Sequence, residues 1–147
     1  MSNKHHICDA VVVKCMDWRI ESSGDFRHKL QKALGIKDFD VVSAAGGAKS
    51  VLDDATQKTT MHNIDLSFRL HHITKVVLTN HMDCGAYGDI GTEERLISDL
   101  RAAKGILEGH FSGLEIRLVL VRLLEKSGKW HVLVENVLDK DPDTVMA

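Results

Sequence analysis

Short runs of apolar, largely β-branched residues alternate along the chain with segments in which apolar residues recur every three or four positions. Runs of this length are typical of strands, and the wider spacing is typical of amphipathic helices. The predicted strands are residues 10–14, 39–43, 75–79, 114–124 and 130–137. The predicted element order is therefore βαβαβαββ.

The segments between the first three strands predict two helices. In the first, four apolar side chains share one face, and Gly35 stands where a C-terminal cap belongs. The members of that face are Phe26, Leu30, Ala33 and Leu34. Residues 50–71 are predicted as one continuous helix, and its inward positions are Val51, Leu52, Ala55, Leu66 and Leu70.

A further helix precedes the fourth strand. Thr92 is its predicted N-cap, since a hydroxyl followed by two acidic residues suits the positive end of a helix. Its predicted buried positions are Leu96, Leu100, Ala103 and Leu107, and Gly109 is its predicted end. The turn-like residues 126–129 then predict a hairpin, so the last strand should be antiparallel.

This order predicts an α/β fold with a mainly parallel central sheet and helices on both faces. The expected strand order is 2-1-3-4 with the antiparallel strand last. In such sheets ligands bind beyond the carboxyl ends of the strands. Residues 1–147 are predicted to form a single domain, because a chain of this length supports one core.

Composition narrows the function classes. A net charge of −2 gives no electrostatic argument for nucleic acid or an anionic membrane as a partner. The first residues lack the apolar segment of a secretory signal, so we expect a cytoplasmic protein. Three cysteines point away from a disulfide framework and toward metal or catalytic use. Cys8 has no clustered partner in the sequence and is predicted to be a small buried apolar residue.

Two short motifs carry the candidate chemistry, each following a predicted strand. Cys15, Asp17 and Arg19 follow the first strand, and His81 and Cys84 follow the third. The carboxyl ends of neighbouring parallel strands meet at one edge of the sheet. Two thiolates and one imidazole would supply three zinc ligands, and three ligands leave a position for water, as in catalytic sites.

The residues beside the predicted ligands suggest how such a site would be oriented. If the chain stays extended after Cys15, then Asp17 and Arg19 point to the same side as the thiol. Asp17 could then orient a water on the metal, and Arg19 could hold Asp17 ionised. A surface salt bridge is the alternative, less favoured interpretation of that pair. Gly85 is expected to permit a tight turn beside Cys84.

Other candidates are weaker. Gly46 and Gly47 begin a segment that resembles a phosphate-binding loop but lacks its required glycines, so a tight strand-to-helix turn is preferred. The remaining histidines are expected to be exposed or capping residues. Trp18 and Tyr87 could wall a pocket, although packing is the commoner role of aromatic residues.

Taken together, the motifs resemble those of the β-class carbonic anhydrases, which carry C-x-D-x-R, an Ala-Gly stretch at a strand end, and H-x-x-C-G. These correspond to residues 15–19, 45–47 and 81–85. The resemblance implies zinc on Cys15, His81 and Cys84. It implies that Asp17 and Arg19 orient a zinc-bound hydroxide, or that Asp17 itself takes the fourth position at rest.

The resemblance also implies a carbonate dehydratase, a lyase that interconverts carbon dioxide and bicarbonate. Gly46, Gly47 and Gly85 are then expected beside the substrate, and the protein is expected to form a homodimer or a larger assembly of dimers. The sequence departs from the family in three places. The first strand is predicted close to residue 1, where the family usually has an N-terminal arm. The sequence also has Ser43-Ala44 where Arg-Asn is usual, and His6 near the place of a substrate-binding glutamine.

These departures leave other functions open. A related hydrolase acting on carbonyl sulfide or carbon disulfide would use the same metal centre with different pocket walls. A non-catalytic zinc-binding module would keep the ligands and lack the activity. A nucleotide-binding domain built on Gly46 and Gly47 is a weaker alternative, testable by thermal stabilisation with nucleotide.

Overall fold

The computed structural model describes residues 6–137. Its elements follow the predicted alternation of strands and helices. The strands are β1 (Ala10–Lys14), β2 (Phe39–Ser43), β3 (Lys75–His81), β4 (Glu115–Lys126) and β5 (Lys129–Val137). The helices are α1 (Trp18–Ser23), α2 (Phe26–Leu34), α3 (Lys49–Leu52), α4 (Gln57–His71) and α5 (Glu93–His110), with a 3-10 turn at Gly88–Ile90.

The five strands form one sheet in the order β2-β1-β3-β4-β5. The first three pairings are parallel, and β5 returns antiparallel to β4 through a hairpin. This confirms the predicted fold class and strand order. β1 lies between β2 and β3, so the carboxyl ends of the motif-bearing strands β1 and β3 are adjacent.

Helices cover both faces of the sheet, as the alternation of strands and helices predicted. Along β1, Ala10 and Val12 belong to one core, and Val11 and Val13 belong to the other. The first core includes Ile20 of α1 together with three members of the predicted α2 face, namely Phe26, Leu30 and Leu34. The prediction that Ala33 is buried with them is wrong: Ala33 is exposed, because it lies at the edge of the face centred on Leu30. The second core includes residues of α3, α4 and α5, among them Val51, Ile64, Leu100, Ala103 and Leu107. Because β1 is buried on both faces, it reads as a continuous apolar run rather than an alternating one.

The prediction of one helix over residues 50–71 is wrong. The chain breaks after α3, at Asp53, which adopts an extended conformation. Two side chains beyond the break bond back to α3: Thr56 Oγ1 donates to the Ser50 carbonyl at 2.9 Å, and Gln57 Nε2 donates to the Val51 carbonyl at 2.7 Å. These bonds satisfy carbonyls at the end of α3 that would otherwise need a continuing helix.

The break also rotates the buried face of α4 away from the predicted positions. Its buried residues are Thr60, Ile64 and Ser67, whereas Leu70 is 50% exposed. Ala55, also predicted inward, is exposed in the connection. The predicted inward positions assumed one unbroken helix from residue 50. Because a new helix begins at Gln57, different positions face the sheet.

The other predicted helix limits are close to those observed. Gly35 adopts a left-handed conformation and its N–H bonds to Gln31, so it caps α2 as predicted. Thr92 caps α5 through its side chain, although the helix continues one residue past Gly109. Across residues 6–137 no helix has the combination of length and apolar character that crossing a bilayer requires.

Candidate metal centre

Three of the predicted site residues meet at the carboxyl ends of β1 and β3. Cys15 directly follows β1, His81 is the last residue of β3, and Cys84 lies in the turn that follows. All three side chains are buried, and their ligand atoms lie within 4.8 Å of one another. The parallel pairing of β1 with β3 therefore brings together residues that are 66 and 69 positions apart in the chain.

The separation of the two sulfurs matches that of a shared metal ion. Cys15 Sγ and Cys84 Sγ are 3.8 Å apart. Two thiolates bound to one tetrahedral zinc, each at about 2.3 Å, also lie about 3.8 Å apart. Both cysteines are free, so this spacing is that of two unlinked thiols. The backbone thus holds both sulfurs at a zinc-binding distance.

The imidazole of His81 is oriented for the same position. Its Nδ1 lies 2.7 Å from the Met82 carbonyl oxygen, which fixes the proton on Nδ1 because a carbonyl can only accept. Its Nε2 is buried and has no hydrogen-bond partner among the described residues. A buried acceptor without a partner is costly, and a metal ion would satisfy it. The donor set therefore fits zinc.

The two thiols have pKa values that are shifted in opposite directions. Hydrogen bonding from Cys84, aided by the backbone N–H of Gly46 at 3.4 Å, lowers the pKa of the Cys15 thiol to about 4. The same neighbour, together with burial, raises the pKa of Cys84. One sulfur is therefore already a thiolate at neutral pH, and a bound cation would favour loss of the second proton.

Asp17 and Arg19 are paired, but not for the predicted reason. The chain does not stay extended after Cys15. Instead Asp17 caps α1, and its Oδ1 accepts from the backbone N–H of Arg19 at 2.8 Å. The Arg19 guanidinium then donates to the same carboxylate, with Nη2 at 2.7 Å from Oδ2. The helical turn, rather than strand alternation, places the two side chains together.

This pairing fixes the charge and position of the carboxylate. Hydrogen bonding from Arg19 lowers the pKa of Asp17, so the group is ionised at neutral pH. Asp17 Oδ2 lies 3.8 Å from His81 Nε2. The carboxylate is thus held beside the ligand cluster by Arg19, and its side chain is 14% exposed.

Arg19 also joins the two motif loops, a contact that the sequence did not predict. Its Nη1 donates to the Asp83 carboxylate and its Nη2 to the Asp83 carbonyl, both at 2.9 Å. The guanidinium lies 5.2 Å from the ring centre of Trp130. Asp83 has a φ of 59°, so the turn between His81 and Cys84 is strained at that residue.

The glycines differ in what they do. Gly47 has a φ of 58°, and an added Cβ would lie 2.3 Å from the Thr79 carbonyl oxygen, so the preferred interpretation as a tight strand-to-helix turn is confirmed. Gly46 is also left-handed, with a φ of 83°. Gly85 is not left-handed and has open space where a Cβ would stand. The expectation that Gly85 is needed for the turn is wrong, because Asp83 takes the left-handed conformation instead.

Asn80 is a supporting residue that sequence reasoning missed. Its Oδ1 accepts from the Ala48 N–H at 3.1 Å, and its Nδ2 donates to the Leu96 carbonyl at 2.9 Å and to the Tyr87 hydroxyl at 3.3 Å. It therefore ties the glycine turn to α5 beneath the cluster. A polar residue inside an otherwise apolar strand, directly before His81, was the available signal.

The aromatic residues near the site have separate roles. Tyr87 is buried, and its hydroxyl donates to Asp99 at 2.8 Å, so packing is its role, as preferred. Trp18 is 65% exposed and packs edge-on against Trp130 with ring centres 6.4 Å apart. Trp18 thus lies at the surface beside the motif loop.

Comparison with known proteins gives two bacterial relatives. An uncharacterized protein of Rickettsia bellii is 29% identical, over 77% of this chain and 76% of its own. An uncharacterized protein of Rickettsia conorii is 28% identical, over 84% of this chain and 74% of its own. Both relatives are described as uncharacterized, so they add no function.

The fold is similar to that of a solved carbonic anhydrase. The carbonic anhydrase from Glaciozyma antarctica matches 90% of this chain and 88% of its own with a TM-score of 0.52, at 15% identity. At that identity the likeness concerns the fold alone. A family model described as "Putative carbonic anhydrase" matches residues 5–132, which is most of the chain. The chain therefore belongs to this carbonic anhydrase family, as the resemblance of its two cysteine motifs predicted.

Proposed function

We propose that this protein is a zinc-dependent carbonate dehydratase that interconverts carbon dioxide and bicarbonate. The single observation that carries the proposal is the joint geometry of Cys15, His81 and Cys84. Two sulfurs stand at the spacing of zinc ligands, and an unpartnered buried nitrogen faces the same position. Membership of the carbonic anhydrase family supports the same activity.

Cys15, His81 and Cys84 would hold the metal. A zinc ion bound there would supply Lewis acidity, which lowers the pKa of coordinated water toward neutrality. Three protein ligands leave a fourth position for that water. Zinc bound by two thiolates carries no net charge, so it acidifies water less strongly than zinc bound by three imidazoles. A protein group that accepts a hydrogen bond from that water, and so orients it, would therefore aid the reaction.

We propose Asp17 for that task. Its carboxylate is ionised and fixed by Arg19, and it lies next to the free nitrogen of His81. A carboxylate in this position accepts a hydrogen bond from water and aims a lone pair of the water oxygen toward substrate carbon. Because Arg19 occupies Asp17 through its Oδ1 and Oδ2 atoms, we propose that solvent rather than Asp17 takes the fourth position.

The glycine turn is proposed to line the substrate site. Gly46 and Gly47 bring backbone, without side chains, against the cluster, and the Gly46 N–H contacts Cys15 Sγ. Gly85 leaves open space beside Cys84. Carbon dioxide is small and has no charge, so an approach path without side chains suits it.

A homodimer in the cytoplasm completes the proposal. The three unlinked cysteines suit a reducing compartment. Met16 and Trp18, beside the motif, are each about two-thirds exposed, at 66% and 65%. Large apolar side chains exposed together are typical of a surface that is covered in an assembly. Sedimentation equilibrium of wild type and of Trp18→Glu would test this, and a monomeric wild type would contradict it.

Stopped-flow hydration of carbon dioxide by the zinc-loaded protein tests the activity. The hydration rate of zinc-loaded wild type should exceed that of the metal-free protein. The hydration rate of Asp17→Asn should be 10- to 100-fold lower than that of wild type, with its zinc retained. Glu21→Gln, an exposed change on the same helix, is the control and should retain wild-type activity. Full zinc occupancy without hydration would contradict the proposal and favour the non-catalytic module. Faster turnover of carbonyl sulfide or carbon disulfide would favour the related hydrolase.

A further inference from the structure

A second cluster of metal-binding side chains lies at the opposite end of β1. Cys8 precedes the strand, Asp40 lies in β2, and His71 is the last residue of α4. Their ligand atoms lie within 4.8 Å of one another, and each residue is partly buried. From the sequence, Cys8 is predicted to be a buried apolar residue and His71 to be exposed or capping. The structure instead places both against a carboxylate.

The main chain and neighbouring side chains hold this cluster in place. The Cys8 N–H donates to the His71 carbonyl at 3.1 Å. Asp40 Oδ2 accepts from Ser67 Oγ at 2.7 Å and lies 2.6 Å from His71 Nδ1. Three separate elements therefore present a sulfur, a nitrogen and an oxygen donor with fixed backbones. Ligands held in this way lose little conformational entropy when they bind an ion.

The electrostatics favour a cation over a nucleophilic thiol. Burial and the negative charge of Asp40 raise the pKa of Cys8. A thiol beside a carboxylate is a poor nucleophile, because its thiolate is repelled rather than stabilised. A divalent cation between the two groups reverses this effect by neutralising both charges.

We propose that Cys8, Asp40 and His71 form a second zinc site. Thiolate, imidazole and carboxylate are the three side-chain donors that zinc binds in proteins. Donor atoms on one tetrahedral zinc are about 3.5 Å apart. The hydrogen bond between His71 Nδ1 and Asp40 Oδ2, now 2.6 Å long, would therefore open by about 1 Å around the ion. All the ligand atoms already lie within 4.8 Å of one another. The cluster borders a cavity of about 260 Å³ that His6 and Arg27 also line, which leaves access for a fourth ligand.

The two clusters are independent of each other. Cys8 and Cys15 are seven positions apart along an extended segment, which corresponds to about 23 Å. The second site therefore lies at the opposite end of the sheet from the candidate active centre, and neither ion would contact the ligands of the other. We infer a structural role for it, since it joins the segment before β1 to β2 and α4.

Zinc stoichiometry tests the proposal on the full, tag-free chain. The protein is stripped with a chelator, dialysed against Zn²⁺ and analysed by mass spectrometry of the metal. Wild type should hold two zinc ions per chain, and the Cys8→Ser/His71→Ala variant should hold one. His28→Ala, at an exposed position on α2, is the matched control and should hold two. Equal zinc content in wild type and in the Cys8→Ser/His71→Ala variant would overturn the proposal.

A spectroscopic measurement separates this proposal from the proposed function. In the Cys15→Ser/Cys84→Ser variant Cys8 is the one cysteine that remains, because the chain has three. Adding Co²⁺ should produce a thiolate-to-cobalt absorption that disappears when His71→Ala is added. Absence of that absorption in a variant whose circular dichroism is native would overturn the second site. This measurement does not depend on whether the wild-type protein hydrates carbon dioxide, so it tests the second site separately from the proposed function.

Discussion

Arg19 donates to both the carboxylate and the backbone carbonyl of Asp83, and so joins two motif loops that are 64 positions apart in the chain. The same guanidinium fixes Asp17. The position of the carboxylate and the position of the Cys84 turn therefore depend on one side chain. Residues that orient a metal site in this way typically change metal affinity or activity by 10- to 100-fold when replaced.

We predict that Arg19→Ala lowers carbon dioxide hydration 10- to 100-fold, because Asp17 loses the group that orients it. Asp83→Asn is the matched control, because Asn also tolerates the positive φ of 59° at this position. Its side chain is 84% exposed, and the carbonyl contact with Arg19 survives the change, so its activity should stay within about two-fold of wild type. Stopped-flow rates on zinc-loaded proteins measure both. Equal losses in the two variants would contradict the assignment.

A second prediction concerns the glycine turn. Gly47→Ala places a Cβ 2.3 Å from a backbone oxygen at a positive φ, so it should lower the free energy of unfolding by about 3 kcal/mol. Gly85→Ala meets open space and should change it by less than about 0.5 kcal/mol. Urea unfolding followed by circular dichroism measures both. A loss at Gly85 as large as that at Gly47 would refute this account of the turn.

Stability should depend on pH through Asp25, which connects α2 to β5. It lies 3.0 Å from Lys29 Nζ and accepts from the Val132 N–H at 3.3 Å. Burial alone would raise the pKa of Asp25, but these hydrogen bonds lower it overall. A lowered carboxyl pKa stabilises the fold above the unfolded-state pKa, near 3.9, and this contribution is lost as the pH falls through the folded-state value.

Asp25→Asn should therefore lower the free energy of unfolding by about 1 kcal/mol at pH 7, and the difference from wild type should shrink as the pH falls below about 4. Denaturant unfolding across this pH range measures it. Asp65→Asn, which breaks an exposed pair with Arg69, is the control and should cost less than about 0.5 kcal/mol. If the difference in free energy of unfolding between wild type and Asp25→Asn did not change with pH, the lowered pKa of Asp25 would not be its cause.

Zinc affinity at the primary cluster should rise with pH. Cys15 is already a thiolate at neutral pH, whereas Cys84 keeps its proton because of Cys15 and burial. Zinc binding must release at least that proton, so the apparent affinity should rise about tenfold per pH unit near neutrality. Calorimetry in buffers of different ionisation enthalpy, on the Cys8→Ser background, counts the protons. Zinc binding without proton release would contradict the claim that Cys84 is protonated in the metal-free protein.

The sheet could be predicted from the sequence because each strand is a separate apolar run and β1 is apolar on both faces. The meeting of Cys15, His81 and Cys84 could also be predicted, because these residues lie at the ends of adjacent parallel strands. The break at Asp53 depends on Thr56 and Gln57 bonding back to α3, which no periodicity encodes. Helix propensity alone predicts that the helix continues through this segment.

The contacts that cross the chain could not be predicted from local patterns. Arg19 meets Asp83 only once β1 and β3 are paired. Cys8, Asp40 and His71 carry no shared motif, and their meeting requires both the β1–β2 pairing and the end of α4 at that edge. Motif spacing identifies ligands that follow strands, but it does not identify residues that converge from three separate elements.

The most direct test of the central claim is the exchange of ¹⁸O between labelled carbon dioxide and water, measured by mass spectrometry on the zinc-loaded protein. Wild type should catalyse the exchange, Asp17→Asn should catalyse it at least 10-fold more slowly with its zinc retained, and Cys84→Ser should lose it. Exchange by wild type no faster than in protein-free buffer, with zinc bound at the primary cluster, would contradict the account.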